Sequence, residues 1–250
     1  MDKSKMVSRL VAIVVLVASA QAGAATGSVH LEPAEIDPGN ISSLQRGARN
    51  FMNYCSGCHS AQYVRFNTIG KYLELSEEQL IDNLMFNAEK TFETIQSAMP
   101  AEDAARWYGT APPDMSLMAR AKGADYIYNF LKGFYLDPES PTGVDNLVLA
   151  GTSMPHVLWE LQGYQTAAFS EHLVDGVMSH EFEGFEQVTP GSLDAEDYDD
   201  FVRDTVNFLA YIAEPIRSER RMIGTWVIIY LLVFLVIAIM LKKQIWKDVK

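Results

Sequence analysis

Cysteine is almost absent: the 250-residue chain has two, Cys55 and Cys58, three positions apart. A small domain stapled by disulfides is thereby excluded. Basic residues are also short, 20 Lys and Arg against 32 Asp and Glu, for a net charge of −12. That balance argues against a nucleic-acid partner, because such binding draws its affinity from neutralised phosphates. Gly and Pro, 16 and 10, are too few for a collagen-like chain, and 48% hydrophobic residues are too many for a disordered one. The sequence shows neither an internal repeat nor a strand-rich block.

The hydrophobicity that is present is segregated to the ends. Lys3, Lys5 and Arg9 precede an apolar run from Leu10 to Val17, and small residues follow with A-x-A sites at 18–20 and 22–24. This is the order of a secretory signal peptide, residues 1–24, with cleavage expected after Ala24. The run is too short to span a bilayer. Residues 223–241 contain no charge; as a helix they reach roughly 28 Å, close to the hydrocarbon thickness. A buried core helix of that length would carry a polar stripe, and this segment has none. Trp226 and Tyr230 lie near one end and Trp246 beyond the other, as in an aromatic belt. Lys242, Lys243, Lys247 and Lys250 follow the span, while Arg217, Arg220 and Arg221 precede it with Glu214 and Glu219 among them. The positive-inside bias therefore points the C-terminus to the cytoplasm. The expected organisation is a signal peptide (1–24), an exported domain (25–213), a juxtamembrane linker (214–222), a transmembrane helix (223–241) and a basic cytoplasmic tail (242–250).

The exported domain holds 10 basic and 28 acidic residues, a net of −18. The acids are densest between 181 and 204, which marks either a solvated face or a docking surface for a cationic protein. Apolar spacing predicts helices over 43–56, 76–88, 122–134 and 193–213. Ser192 or Asp194 caps the last of these and Pro215 ends it. Stretches punctuated by Pro and Gly at 109–116, 136–146 and 184–191 read as loops with room for small hairpins.

Both cysteines belong to Cys55-Ser56-Gly57-Cys58-His59, the C-x-x-C-H pattern of covalent c-type haem attachment. Two cysteines three apart reach the two vinyl groups of the porphyrin, and the adjacent His brings an imidazole nitrogen to the iron. A thioredoxin-like pair needs a preceding strand, which 43–54 does not resemble. A zinc site lacks further cysteines to complete it. The sixth iron position has several candidates: Met85, Met99, Met115, Met118, Met154 and Met178, of which Met99 and Met154 precede a proline, or one of His30, His156, His172 and His180. Spacing does not choose among them, although Met154 and then Met99 lead. Tyr54, Tyr63, Val64, Phe66 and Trp107 are candidate pocket residues, and Arg120 or Lys122 is a candidate partner for a haem propionate.

The order CSGCH at 55–59, APPDMS at 111–116, MPHVL at 154–158 and Glu214-Pro215 before basic residues and one anchor resembles cytochrome c1, the haem subunit of the bacterial cytochrome bc1 complex. The resemblance covers essentially all of the mature chain. It implies a mainly α fold: a c-type cytochrome domain with long loop insertions plus one C-terminal transmembrane helix. It implies one covalent haem c on Cys55 and Cys58, with His59 and Met154 as axial iron ligands. Arg120 matches a basic position near the propionates, and Tyr54, Tyr63 and Pro113 are expected at the pocket. Some relatives carry an extra cysteine pair that forms a disulfide; this chain lacks it. By resemblance the chain is a redox subunit of the proton-translocating ubiquinol–cytochrome c oxidoreductase (respiratory complex III). It takes an electron from a Rieske iron–sulfur protein, passes it to a cytochrome c, and makes no bonds itself. Cytochrome b and the Rieske protein are the implied partners, in a dimeric complex of the bacterial inner membrane with the haem domain in the periplasm. The nearest rival is an anchored c-type cytochrome outside a bc1 complex, feeding a terminal oxidase or reductase. A haem-based sensor is disfavoured because residues 242–250 are too few to signal.

Overall fold

The computed structural model describes residues 30–174 and 177–247. The signal peptide expected at 1–24 and the last three residues of the expected tail lie outside that range.

Asn40 starts the first helix, α1 (Ile41–Tyr54), by accepting the Ser43 N–H on its side chain at 3.1 Å. Leu44, Ala48, Phe51 and Met52 recur at helical spacing along α1 and are buried. A short strand β1 (Ala61–Arg65), the helices α2 (Phe66–Tyr72) and α3 (Glu77–Leu84), and a two-residue strand β2 (Thr94–Ile95) follow. Ser76 and Gln79 close α3 with a reciprocal capping box. The helix expected over 122–134 is α6 (Ala124–Lys132); a separate short helix, α5 (Met118–Lys122), precedes it, after α4 (Ala101–Tyr108). Gly123 separates them with φ of +96°, a conformation that a side chain would oppose. Strands β3 (Phe134–Leu136) and β4 (Val144–Asn146) pair antiparallel. The one-turn helix α7 (Trp159–Gln162) then leads to β5 (Gly163–Val174), β6 (Val177–Pro190) and the long helix α8 (Ala195–Ala213). Asp194 caps α8, accepting the N–H groups of Glu196 and Asp197.

The core is the crossing of α1 and α8. Phe51 meets Phe208 with ring centroids 5.9 Å apart, and Val202, Val206 and Leu209 complete the seam. Polar residues fix the register. Arg46 forms a two-pronged pair with Asp204, with its Nε at 2.5 Å and Nη2 at 3.0 Å. Asn50 donates to Thr205 Oγ1 at 3.2 Å, and Asn207 donates to Ser43 Oγ at 2.8 Å. Against this pair packs α6, where Tyr128 and Lys132 meet Asp199 of α8.

The fold is mainly α, and two elements differ from expectation. Strands β5 and β6, residues 163–174 and 177–190, pair as a long antiparallel hairpin, where the sequence read as irregular chain and, at 184–191, as a loop with room for a small hairpin. Register shifts at Tyr164/Gln165 and at Ala168/Phe169 break the two-residue alternation by which a strand is recognised. The last helix, α9 (Arg217–Ile245), runs past both ends of 223–241, starting inside the expected linker and ending inside the expected tail. Its segment Glu219–Ile245 is long and apolar enough to cross a membrane and is unburied by the rest of the chain.

Candidate functional site

The C-terminus of α1 turns sharply into the cysteine motif. Cys55 N–H still bonds back to Phe51 O at 2.9 Å, and the N–H groups of Cys58 and His59 converge on Cys55 O at 3.1 and 2.8 Å. Ser56 Oγ donates to Met52 O at 2.8 Å. This turn presents Cys55, Cys58 and His59 to one cavity of about 480 Å³. Neither cysteine is in a disulfide. Burial, and secondarily the neighbouring Cys58, pushes the Cys55 thiol up to about 12, and burial raises Cys58 as well. Both are therefore thiols at neutral pH, unlike the depressed thiolates of a redox-active or zinc-binding pair. Among the described residues no cluster of His, Cys, Asp and Glu is arranged to hold a bare metal ion.

His59 is fixed by the APPDMS segment. Its Nδ1 lies 2.8 Å from the Pro113 carbonyl. Only a protonated Nδ1 can donate there, which leaves Nε2 as the free lone pair. Burial lowers the pKa of His59, opposed in part by the Pro113 carbonyl and the charge of Asp114. The ring is thus neutral and oriented, with Nε2 free to accept. The segment is itself sewn to the chain just after the cysteine motif: Met115 N–H bonds Ser60 O at 2.7 Å, Gln62 N–H bonds Asp114 at 2.9 Å, and Tyr63 N–H bonds Ser116 Oγ at 3.1 Å. Asp114 and Ser116 were not expected as site residues. Their signal was their place inside a motif already noted.

Met154 lines the same cavity, on the loop between β4 and α7. Buried Asn146 anchors that loop: its Nδ2 donates to Phe130 O at 2.7 Å, and its Oδ1 accepts the Val148 and Leu149 N–H groups at 2.9 and 3.3 Å. Asp145 adds a bond from Gly151 N–H at 2.7 Å. The cavity walls are apolar, with Phe51, Ile127, Phe130, Leu131 and Leu209 among them. Two thiols, an imidazole and a thioether around apolar walls form a donor set that fits a haem group.

Of the other expected residues, Tyr54 and Pro113 line the cavity, and Tyr54 sets its ring edge-on to Phe201 at 5.3 Å. Tyr63 does not. The irregular β1 turns Ala61 and Val64 inward, and Tyr63 is 72% exposed. Arg120 is not in the lining either; it lies in the electrostatic field of Glu214. Lys122 is in the lining, with its Nζ 5.5 Å from the centre of the Tyr126 ring. Val64 and Phe66 are buried in the core, and Trp107 is exposed. Met115 and Met118 also reach the cavity, Met85 is buried outside it, and Met99 is held near the cysteine loop through Ser97, which donates to Gly57 O. His156 is buried outside the lining; burial pushes its pKa down to about 4. His30 is exposed, and the side chains of Met178, His172 and His180 lie outside the described residues.

Residues 37–249 match the Cytochrome C1 family. The chain is 44% identical over 227 residues, 90% of its length and 92% of the relative's, to cytochrome c1 of Allochromatium vinosum. It is 36% identical over 237 residues, 95% of this chain and 96% of the relative, to a protein of Nitrosomonas europaea named ammonia monooxygenase gamma subunit. Identity to cytochrome c1 of Rhodospirillum rubrum is 28% over 236 residues, 83% of this chain and 82% of the relative. With a family match across nearly the whole chain and a cavity that gathers the cysteine motif with a methionine, the chain belongs to the cytochrome c1 family.

Proposed function

We propose that the chain carries one covalent haem c, held by Cys55 and Cys58 and ligated by His59 and Met154. It serves as the electron-transfer subunit of a ubiquinol–cytochrome c oxidoreductase, taking an electron from a Rieske iron–sulfur protein and delivering it to a cytochrome c. The observation that carries this reading is an apolar cavity lined by all four of these residues. When bound, the haem supplies reversible one-electron exchange at its iron.

The chain's own residues supply the rest. The Pro113 carbonyl holds the His59 proton on Nδ1 and so aims Nε2. Met154 offers a neutral, soft thioether, a ligand that raises the reduction potential. The apolar walls exclude water. Lys122 offers the lining a cation for anionic propionates. The helix α9 anchors the chain, in our reading in a bacterial inner membrane, with the haem domain in the periplasm and the C-terminus in the cytoplasm. Cytochrome b and the Rieske protein are its partners, in a dimeric complex that moves protons although this chain makes no bonds.

The test is extraction of tagged protein from its own membranes in mild detergent. Its haem is then divided into covalent and acid-extractable fractions, and ubiquinol–cytochrome c reductase activity is assayed. Non-covalent haem in excess of covalent haem, with activity, is expected. Covalent haem alone without activity would point to an anchored cytochrome outside a bc1 complex. Copurification with a monooxygenase, the enzyme in the name of the Nitrosomonas relative, would overturn the reading.

A further inference from the structure

We infer that His156 is a positioning residue, whose stacked ring holds the Met154 sulfur in the cavity. The inference rests on the reading of Met154 as an iron ligand.

The loop that carries Met154 has little backbone support beyond the Asn146 and Asp145 anchors at its start. Met154 N–H reaches Thr152 Oγ1 only at 3.4 Å, Pro155 has no N–H to give, and His156 O accepts from Trp159 N–H at 3.4 Å. Bonds of that length fix a loop weakly. Met154, Pro155 and Val157 all line the cavity, whereas His156, between them in sequence, does not. Its ring turns the other way and is 6% exposed. It lies flat on Phe134, with centroids 5.0 Å apart and planes 10° apart, and meets Tyr164 edge-on at 6.3 Å. Phe134 in turn stands edge-on to Phe130 at 5.2 Å, and Phe130 lines the cavity. The ring thus pins the far side of the Met154 loop to the wall of the cavity that the sulfur enters.

The imidazole nitrogens reach only the Gly163 backbone, and that contact lies outside good hydrogen-bond geometry. What the side chain contributes is therefore its plane and volume. A phenyl ring supplies both and removes two buried polar atoms, a change that is close to neutral. A leucine supplies volume without the plane, and the stack is lost.

The experiment uses the full chain in detergent-extracted membranes, with Met154→Ala, His156→Leu, His156→Phe and, as a stability control, Leu80→Ala on the buried side of α3. The readouts are the methionine-to-ferric-iron charge-transfer band, the midpoint potential and carbon monoxide binding to the reduced protein, all at a temperature where every variant is folded. Met154→Ala should abolish the band, lower the potential and admit carbon monoxide. His156→Leu should weaken the band, lower the potential and admit carbon monoxide in part, while His156→Phe and Leu80→Ala keep the properties of the unaltered protein. If Met154→Ala keeps the band, the ligand assignment is wrong and the inference goes with it. If Met154→Ala loses the band but His156→Leu keeps it, or if His156→Phe behaves like His156→Leu, the assignment stands and the positioning role is overturned.

Discussion

Asn146 holds three backbone groups: the Phe130 carbonyl, which also accepts from the Gly133 N–H at 3.3 Å, and the N–H groups of Val148 and Leu149. Orphaning a buried group costs about 1–3 kcal/mol. Asn146→Ala should therefore destabilise the domain by about 3 kcal/mol, measured by urea unfolding, and should loosen the loop that leads to Met154. Asp199 gives a pH prediction. Burial raises its pKa, but the hydrogen bonds from Lys132 and Tyr128, with the charges of Lys132 and Arg203, outweigh burial and hold it below its ordinary 3.8. A carboxylate depressed in the folded state stabilises fully above its unfolded value and loses that contribution as pH falls through the lower, folded one. Asp199→Asn should thus be less stable at neutral pH, and its unfolding free energy should fall less steeply below pH 3.8 than that of the unaltered protein. At this scale the sequence was legible where chemistry demands a fixed spacing, as in Cys55, Cys58 and His59. It was opaque at Asn146, Asp114 and Ser116, whose partners are backbone atoms brought together only by the fold.

Helix contacts follow a similar division. The four expected helices were visible because their buried residues recur every three or four positions, and α8 most clearly of all. What no periodicity reveals is how closely two helices approach. A Cβ at Gly47 would lie 2.0 Å from the Asp204 carbonyl oxygen and 2.7 Å from the Phe208 Cβ, so α1 and α8 touch backbone to backbone there. Gly47→Ala should push them apart and cost about 2–3 kcal/mol, the range for overpacking a tight core. Because α1 leads directly into Cys55 and α8 contributes Thr205 and Leu209 to the cavity, the yield of covalently attached haem should fall as well, read from haem-stained gels. The hairpin was missed for the opposite reason. Its one side is covered only in part, by contacts such as Tyr135 on Phe169 at 6.1 Å, so its strands never needed a clean apolar alternation. Asp175-Gly176, a favoured two-residue turn pair, was the signal that could have revealed it.

At the scale of the chain, residues 31–213 are acidic and residues 217–245 form an apolar helix. The net of −18 over residues 25–213 should steer a basic cytochrome c toward them. The bimolecular rate of electron delivery, followed by stopped flow, should fall as salt shortens the Debye length from about 10 Å at 0.1 M to about 3 Å at 1 M. A rate indifferent to salt would remove the acidic surface from the account of docking. The apolar helix itself, the 29 residues of α9, is roughly 43 Å long, so it reaches beyond the hydrocarbon into the headgroups. Only residues 214–216 separate it from α8, and Glu214 is tied to Arg220 across that joint at 2.5 Å. Three residues allow an excursion of roughly 10 Å at most. The cavity is accordingly a pier rather than a ferry: a tether of three residues moors it close to the head of α9.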